Sequence, residues 1–199
     1  MSRNDELHLA NLKKKTDARV RRTRDALGDA LVALMQEKPF ETITVQDVLD
    51  RAHVGRSTFY SHYSDKDDLL MSDADDFYER VAFGLSSSGD TSDRVFPVRE
   101  FFSHIAEARR FVNALSSSGK MQENMELARG HFARGIERRL KELPRGQSIR
   151  AGERPAIAFA HAGALLSLLT WWIDRGMRQS PSEMDDLFHR MVWNGVTPR

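Results

Sequence analysis

Between positions 44 and 66 the sequence TVQDVLDRAHVGRSTFYSHYSDK sets short donors and long cations in an order that chemistry can use. Arg56 opens a short segment, where a guanidinium can donate two hydrogen bonds to guanine O6 and N7 in a major groove. Ser57 and Thr58 are short donors that let a backbone approach base edges, and Gly55 caps the segment that carries them. Tyr60, His62 and Lys66 are placed to reach phosphates. Thr44 caps the preceding segment, whose N-terminal N–H groups and positive end suit another phosphate. Singly, each residue has a plainer reading: Arg56 as a solvated surface cation, Tyr60 and Tyr63 as packing, Thr44 as a sufficient cap. The order of the whole set carries the functional reading.

That order needs elements to hold it. Leu27, Ala30, Leu31 and Leu34 recur at three- and four-residue spacing, which predicts an amphipathic helix over about 24–37, ended by Lys38 and Pro39. Thr44 with Asp47 reads as a capping box opening a second helix, about two turns long, with Val45, Val48, Leu49 and Ala52 buried. His53, Val54 and Gly55 form a tight turn, and a third short helix follows with Phe59 and Tyr63 four apart. Two short helices joined by a tight turn and braced by a third make a helix-turn-helix, whose second short helix can enter a major groove. Ser64 and Asp67 are expected to cap a fourth helix with Leu70, Ala74, Phe77 and Val81, running to about Leu85, before a polar loop over 86–92.

The stretch from about Arg21 to Leu70 resembles the DNA-binding domain of TetR-family regulators. The likeness rests on Ile43-Thr44-Val45, Ala52-His53-Val54, Ser57-Thr58-Phe59-Tyr60-Ser61-His62-Tyr63 and Ser64-Asp65-Lys66-Asp67-Asp68-Leu69-Leu70. The resemblance implies Arg56, Ser57 and Thr58 on the base face and Thr44, Tyr60, His62 and Lys66 at phosphates. It also implies a ligand-binding, dimerising helical domain after the head, and Leu168-Leu169-Thr170-Trp171-Trp172 with Phe188-His189-Arg190 is similar to a C-terminal branch of the family. Two departures stand out. His53 occupies a turn position where the family favours glycine, a strain if the backbone there is left-handed. Gly55 stands where the family tends to have serine, which costs a helix cap little.

Charge distribution agrees with an N-terminal nucleic-acid face. The 199 residues carry 30 Lys+Arg and 29 Asp+Glu, but the sum is uneven: residues 1–63 carry +2, residues 64–93 carry −7 and residues 94–199 carry +6. Between positions 13 and 24, Lys13, Lys14, Lys15, Arg19, Arg21, Arg22 and Arg24 face only Asp17, a basic arm able to lie along or inside a minor groove. The acidic block from Ser64 should repel phosphates. With no cysteine, disulfides, thiolate metal sites and thiol nucleophiles are excluded. No apolar leader opens the chain, so the cytoplasm is the expected compartment.

The remaining stripes are helical. Val98, Phe101, Phe102, Ile105, Ala108, Val112 and Leu115 form one, ended by 116–119, and Met125, Ala128, Phe132, Ile136, Leu140 and Leu143 form the next, ended by Pro144. Residues 155–173 hold no Asp, Glu, Lys or Arg, enough for a short membrane span, but a helix buried all round or in an oligomer interface explains them better. Ser180, Pro181 and Glu183 cap a last helix.

The expected fold is all-α: a basic arm over 1–22, a three-helix helix-turn-helix DNA-binding domain over 23–66, and a larger helical ligand-binding and dimerisation bundle over 67–199. The expected function is a homodimeric repressor on a palindromic double-stranded DNA operator, with the helices 155–175 and 181–193 in the dimer interface. No cofactor, metal or membrane is expected. A small-molecule effector is expected among Phe102, Met125, Phe132, His161 and Leu165, although a Phe and Met stripe at helical spacing is more often plain core. Control by a partner protein is the second reading. Enzymatic use of the bundle, through His104, His131 or His161, is the third. No HExxH, phosphate-binding glycine loop or G-x-S-x-G supports the third.

Overall fold

The computed structural model describes the backbone of residues 3–109, 112, 115, 116 and 119–194, and side chains from Arg19 onward. Among the described residues the chain is helical throughout, with no strand. It divides into two compact units, residues 1–73 and 74–199.

In the first unit, α1 (Arg3–Glu37) leads through a 3-10 turn (Phe40–Thr42) to α2 (Val45–Ala52), α3 (Arg56–Tyr60) and the first turns of α4 (Lys66–Ala82). The apolar stripe expected over 24–37 is the buried face of α1: Leu27, Ala30, Leu31, Leu34 and Met35 pack in a core that includes Val48, Leu49, Phe59 and Leu69. Burial of each large side chain contributes about 1.5–3 kcal/mol. The helix itself begins some twenty residues earlier than expected, because no proline or glycine interrupts the chain before Gly28 and Leu, Ala, Lys and Arg are strong helix formers. The arm expected over 1–22 therefore continues α1. A helix about 10–12 Å across does not enter a minor groove about 6 Å wide, which corrects the expectation of groove insertion for the helical part. Residues 1 and 2, and the side chains of Lys13, Lys14 and Lys15, lie outside the described residues.

The unit closes at Asp73, beyond the head expected over 23–66, since α4 is held against α1. Leu69 and Leu70 are buried, Arg24 Nη2 donates to Ser72 Oγ at 2.9 Å, and a side chain at Gly28 would collide with the Asp73 carboxylate. The cap of α4 also differs from the Ser64–Asp67 pair. The Ser64 N–H and hydroxyl donate to Asp68 Oδ2, and the Asp68 N–H donates to Asp65 Oδ1 at 2.8 Å.

The second unit contains the rest of α4, then α5 (Gly84–Ser88), α6 (Val98–Glu107), α7 (Met121–Glu142), α8 (Pro144–Gln147), α9 (Arg154–Asp174) and α10 (Pro181–Asn194). Here α7 packs along α9, and α6 packs on α10. Phe96, Phe101, Phe102, Phe132, Phe188 and Trp172 fill the centre. At Gly135 an added Cβ would fall on the Ala82 carbonyl, so α7 and α4 approach as closely as glycine permits. The polar loop expected over 86–92 is partly the helix α5, and the stripe from Val98 is broken by a turn at Ala108, with residues 109, 112, 115 and 116 helical again beyond it. Of the terminator expected over 116–119, residues 117 and 118 lie outside the described residues.

Two buried polar devices pin the 90–97 segment. Arg139 on α7 donates to the carbonyls of Asp90 (2.7 Å), Ser92 (2.8 Å) and Arg94 (3.0 Å). On α10, His189 Nε2 accepts from the Val95 N–H at 3.0 Å, which leaves Nδ1 to carry the proton toward the Asp185 carbonyl. Asp185 accepts from Arg94 and from the Arg99 N–H. Burial alone would raise the Asp185 carboxyl, but hydrogen bonds from His189 and Arg94 outweigh it and hold the group down at about 2. The Ser180–Glu183 cap of α10 forms in both directions.

Candidate nucleic-acid interface

The two-helix turn is built from local rules. Thr44 accepts from the Asp47 N–H at 3.1 Å, while the Thr44 N–H donates to Asp47 Oδ2 at 2.7 Å. Both halves of the capping box thus form. Lys38 adds an ion pair to Asp47 at 2.9 Å, and hydrogen bonds from Lys38 and Thr44 hold that carboxyl well below the usual range. The turn then reverses at His53, whose φ of 54° and ψ of 39° are left-handed, the strain anticipated for a non-glycine residue there. The Val54 N–H closes back on the Leu49 carbonyl at 3.2 Å. Gly55 is extended, with φ −71° and ψ 147°, and its carbonyl accepts from the Thr58 and Phe59 N–H groups.

α3 has a dry side and a wet side. Phe59 is fully buried and Tyr63 nearly so, their rings 5.7 Å apart, while the Tyr63 hydroxyl accepts from Arg24 Nε at 3.1 Å. Arg24, counted in the basic run, is thereby turned inward as a brace between α1 and the end of α3. On the opposite side Arg56, Ser57, Thr58 and Tyr60 are exposed, and Tyr60 is 52% accessible despite its size. An aromatic ring held out in water edge-on to Phe59, with centroids 5.3 Å apart, has an apolar body and a hydroxyl ready for a partner. His62 is half-buried beside Tyr63. Thus Gly55, Arg56, Ser57, Thr58, Tyr60 and His62 lie together on the third helix and its flanks, with Thr44 at the start of α2.

Lys66 behaves differently from the phosphate ligand expected of it. Its ammonium donates to the carbonyls of Phe40 (2.6 Å) and Ile43 (2.8 Å), reaches that of Glu41 at 3.4 Å, and lies 4.4 Å from the centre of the Phe40 ring. An ammonium has three donors, and all three have protein acceptors. Lys66 therefore fastens the 3-10 turn that precedes α2 to the start of α4. The sequence hides this role, since a lysine 23 to 26 residues from its acceptors leaves no local signature. Arg51 and Glu37, a bidentate pair at 2.9 and 2.8 Å joining α2 to α1, were equally illegible.

In the second unit, the five residues expected around an effector do not line a common space among the described clefts. Phe102 is fully buried against Trp172 at 4.9 Å, Phe132 against Phe96 at 4.5 Å, and Leu165 is fully buried. Met125 packs on the margin of this core, and His161 is half-buried beside the edge of Phe188, with burial lowering its pKa. Phenylalanines at helical spacing are core here. Among the described residues no group of three or more His, Asp or Glu could hold a metal ion.

The comparisons with known proteins agree with this geometry. Residues 27–72 match the family described as bacterial regulatory proteins, tetR family, and residues 98–194 match a transcriptional regulator C-terminal region. A segment of 59 residues is 41% identical to the uncharacterised HTH-type transcriptional regulator YxbF of Bacillus subtilis, covering 29% of this chain and 16% of that protein. The chain thus spans about a sixth of that relative's length. A TetR transcriptional regulator from Streptococcus agalactiae shares the fold at 23% identity and a TM-score of 0.59, covering 90% of this chain and 98% of that one. A TetR-family regulator from Syntrophomonas wolfei does so at 16% identity and a TM-score of 0.66, covering 88% and 95%. These neighbours are transcriptional regulators and not enzymes. With a helix-turn-helix head matching one family signature and a helical C-terminal region matching another, the chain belongs to the TetR family of DNA-binding transcriptional regulators.

Proposed function

We propose that the protein is a homodimeric, effector-responsive repressor that reads a palindromic operator through Arg56, Ser57 and Thr58. The observation that supports this reading is the two-sided α3, with Phe59 and Tyr63 anchoring it from beneath and Arg56, Ser57, Thr58 and Tyr60 facing outward. Tyr60, His62 and the N-terminal end of α2 at Thr44 supply phosphate contacts that set the register. Such a protein works in the cytoplasm, where its operator is.

Dimerisation rests on α9 and α10. α9 is long and apolar enough to cross a membrane by length and composition, yet Ala158, Ala162, Leu165, Leu166, Leu169 and Trp172 face the unit's core. The opposite face is also uncharged: Ala156, Phe159, Ala160, Ser167, Thr170 and Trp171 are exposed. Phe159, Trp171 and Met191 of α10 are 55%, 40% and 47% accessible. A second copy of the same two helices covers this surface as an isologous four-helix contact. Two heads then meet half-sites about 34–36 Å apart, or a multiple of that, and an effector that prefers one spacing shifts the operator affinity.

The experiment is operator binding by Arg56→Ala against single-base variants of the site. The proposal expects discrimination to fall by about 1–3 kcal/mol at one base per half-site, with nonspecific binding retained. Equal loss on specific and nonspecific DNA removes Arg56 from base reading.

A further inference from the structure

Away from the phenylalanine core, the second unit has an open cleft of about 520 Å³ among α4, α5, the 90–97 segment and α6. That volume lies within the range of small-molecule sites, about 300–1,000 Å³. Its floor is apolar, from Phe77, Val81, Leu85, Pro97 and Phe101. On one wall the rings of Phe77 and His104 stack on each other, tilted by 31° with centroids 4.6 Å apart, an aromatic pair against which an apolar body can pack.

The polar rim is unevenly satisfied. Glu100 is bound by Arg94 and Arg99; against the upward push of burial, its hydrogen bond with Arg94 leads in holding its carboxyl down at about 2. Asp90 is paired with Arg139. Both acids of the cleft are thus neutralised by cations already in the protein. Arg80, in the last turn of α4, has no hydrogen-bonding or ionic partner among the described residues and is exposed at the same cleft. A guanidinium without a counter-ion above an apolar floor fits a carboxylate bidentately. Gly84 leaves the space open: a Cβ there would make only an ordinary contact of 3.8 Å with Pro97.

We propose that this cleft binds a small amphipathic carboxylate, its apolar body against the floor and the Phe77–His104 pair and its anionic end on Arg80. The inference deepens the effector reading above by giving it a place and a ligand class, and rests on that reading only for its regulatory consequence.

The test is calorimetric titration of the full-length protein with 2-naphthoate and with its uncharged amide. The carboxylate is expected to bind at least fivefold tighter than the amide. Arg80→Ala should remove that preference while leaving the amide unchanged, and Arg80→Lys should restore part of it. Gly84→Leu, which fills the cleft at a position compatible with helix, should abolish both. Absence of 2-naphthoate binding at millimolar concentration, or binding indifferent to Gly84→Leu and Arg80→Ala, overturns the site. Operator affinity measured alongside separates the two claims. Binding that follows the variants without altering operator affinity supports the site and removes this ligand class as an effector.

Discussion

Replacing Lys66 with methionine keeps the aliphatic stem and removes the ammonium. The loss comprises two well-formed charged hydrogen bonds, at 2.6 and 2.8 Å, a longer one at 3.4 Å, and the contact with the Phe40 ring. A hydrogen bond to a charged group is worth about 1.5–3 kcal/mol net, and an exposed cation–π contact about 0.5–1 kcal/mol. The Glu41 carbonyl belongs to an exposed residue and recovers water, while those of the buried Phe40 and Ile43 recover less. The expected cost is about 2–4 kcal/mol, confined to the first unit. Trp171, Trp172 and Trp193 all lie in the second unit, so tryptophan fluorescence would miss it. Amide hydrogen exchange over residues 40–66 reads it directly, with protection falling roughly 30- to 1,000-fold. For the folded fraction, the salt dependence of DNA binding should be unchanged. If exchange is unaltered and the slope of log K against log salt falls by about 0.9 per head, Lys66 is a phosphate ligand and the fastening role is refuted.

The remaining predictions concern other parts of the chain. His53→Gly should stabilise the first unit by up to about 1 kcal/mol, because glycine relieves the left-handed strain and returns part of the gain as unfolded-chain entropy; slower exchange in α2 checks it. Asp185 and Glu100 are held at about 2, below their ordinary 3.8 and 4.5, so their ionised forms favour the fold. Their stabilisation is complete above about pH 4.5 and disappears as pH falls toward 2. Asp185→Asn should flatten the tryptophan-detected acid transition in that window. Ala160→Glu places a charge on the exposed, uncharged face of α9 and should halve the mass in sedimentation equilibrium without changing the far-ultraviolet circular dichroism.

The legible part of the structure was the part written in short-range rules. The Thr44–Asp47 and Ser180–Glu183 boxes and the stripe of α1 each depend on residues within a turn or two of one another. So does the polar side of α3, where Phe59 and Tyr63 mark the buried face by spacing alone. Long-range polar bonds were not legible: Lys66 reaching back to Phe40, Arg24 to Tyr63, and Arg139 buried among three carbonyls of the 90–94 segment. Arg139 does carry one faint signal, as a cation three residues after Ile136 and four before Leu143 on the apolar stripe, where a guanidinium must find acceptors if buried. The bundle's aromatic stripe misled in the opposite sense. Phe102 and Phe132 have the chemistry of a ligand wall, but their register points them at Trp172 and Phe96. The cleft near Arg80 depends on a side chain that Gly84 lacks and on elements joined only in three dimensions.

Selection of bound duplexes from a random pool by the full-length protein, at low and near-physiological salt, tests the central claim most directly. The account predicts a palindrome that persists at the higher salt, with half-site centres about one helical turn, or a multiple, apart. Recovery of unrelated sequences whose binding vanishes with salt would contradict it, leaving the basic surface as electrostatics without a reading helix.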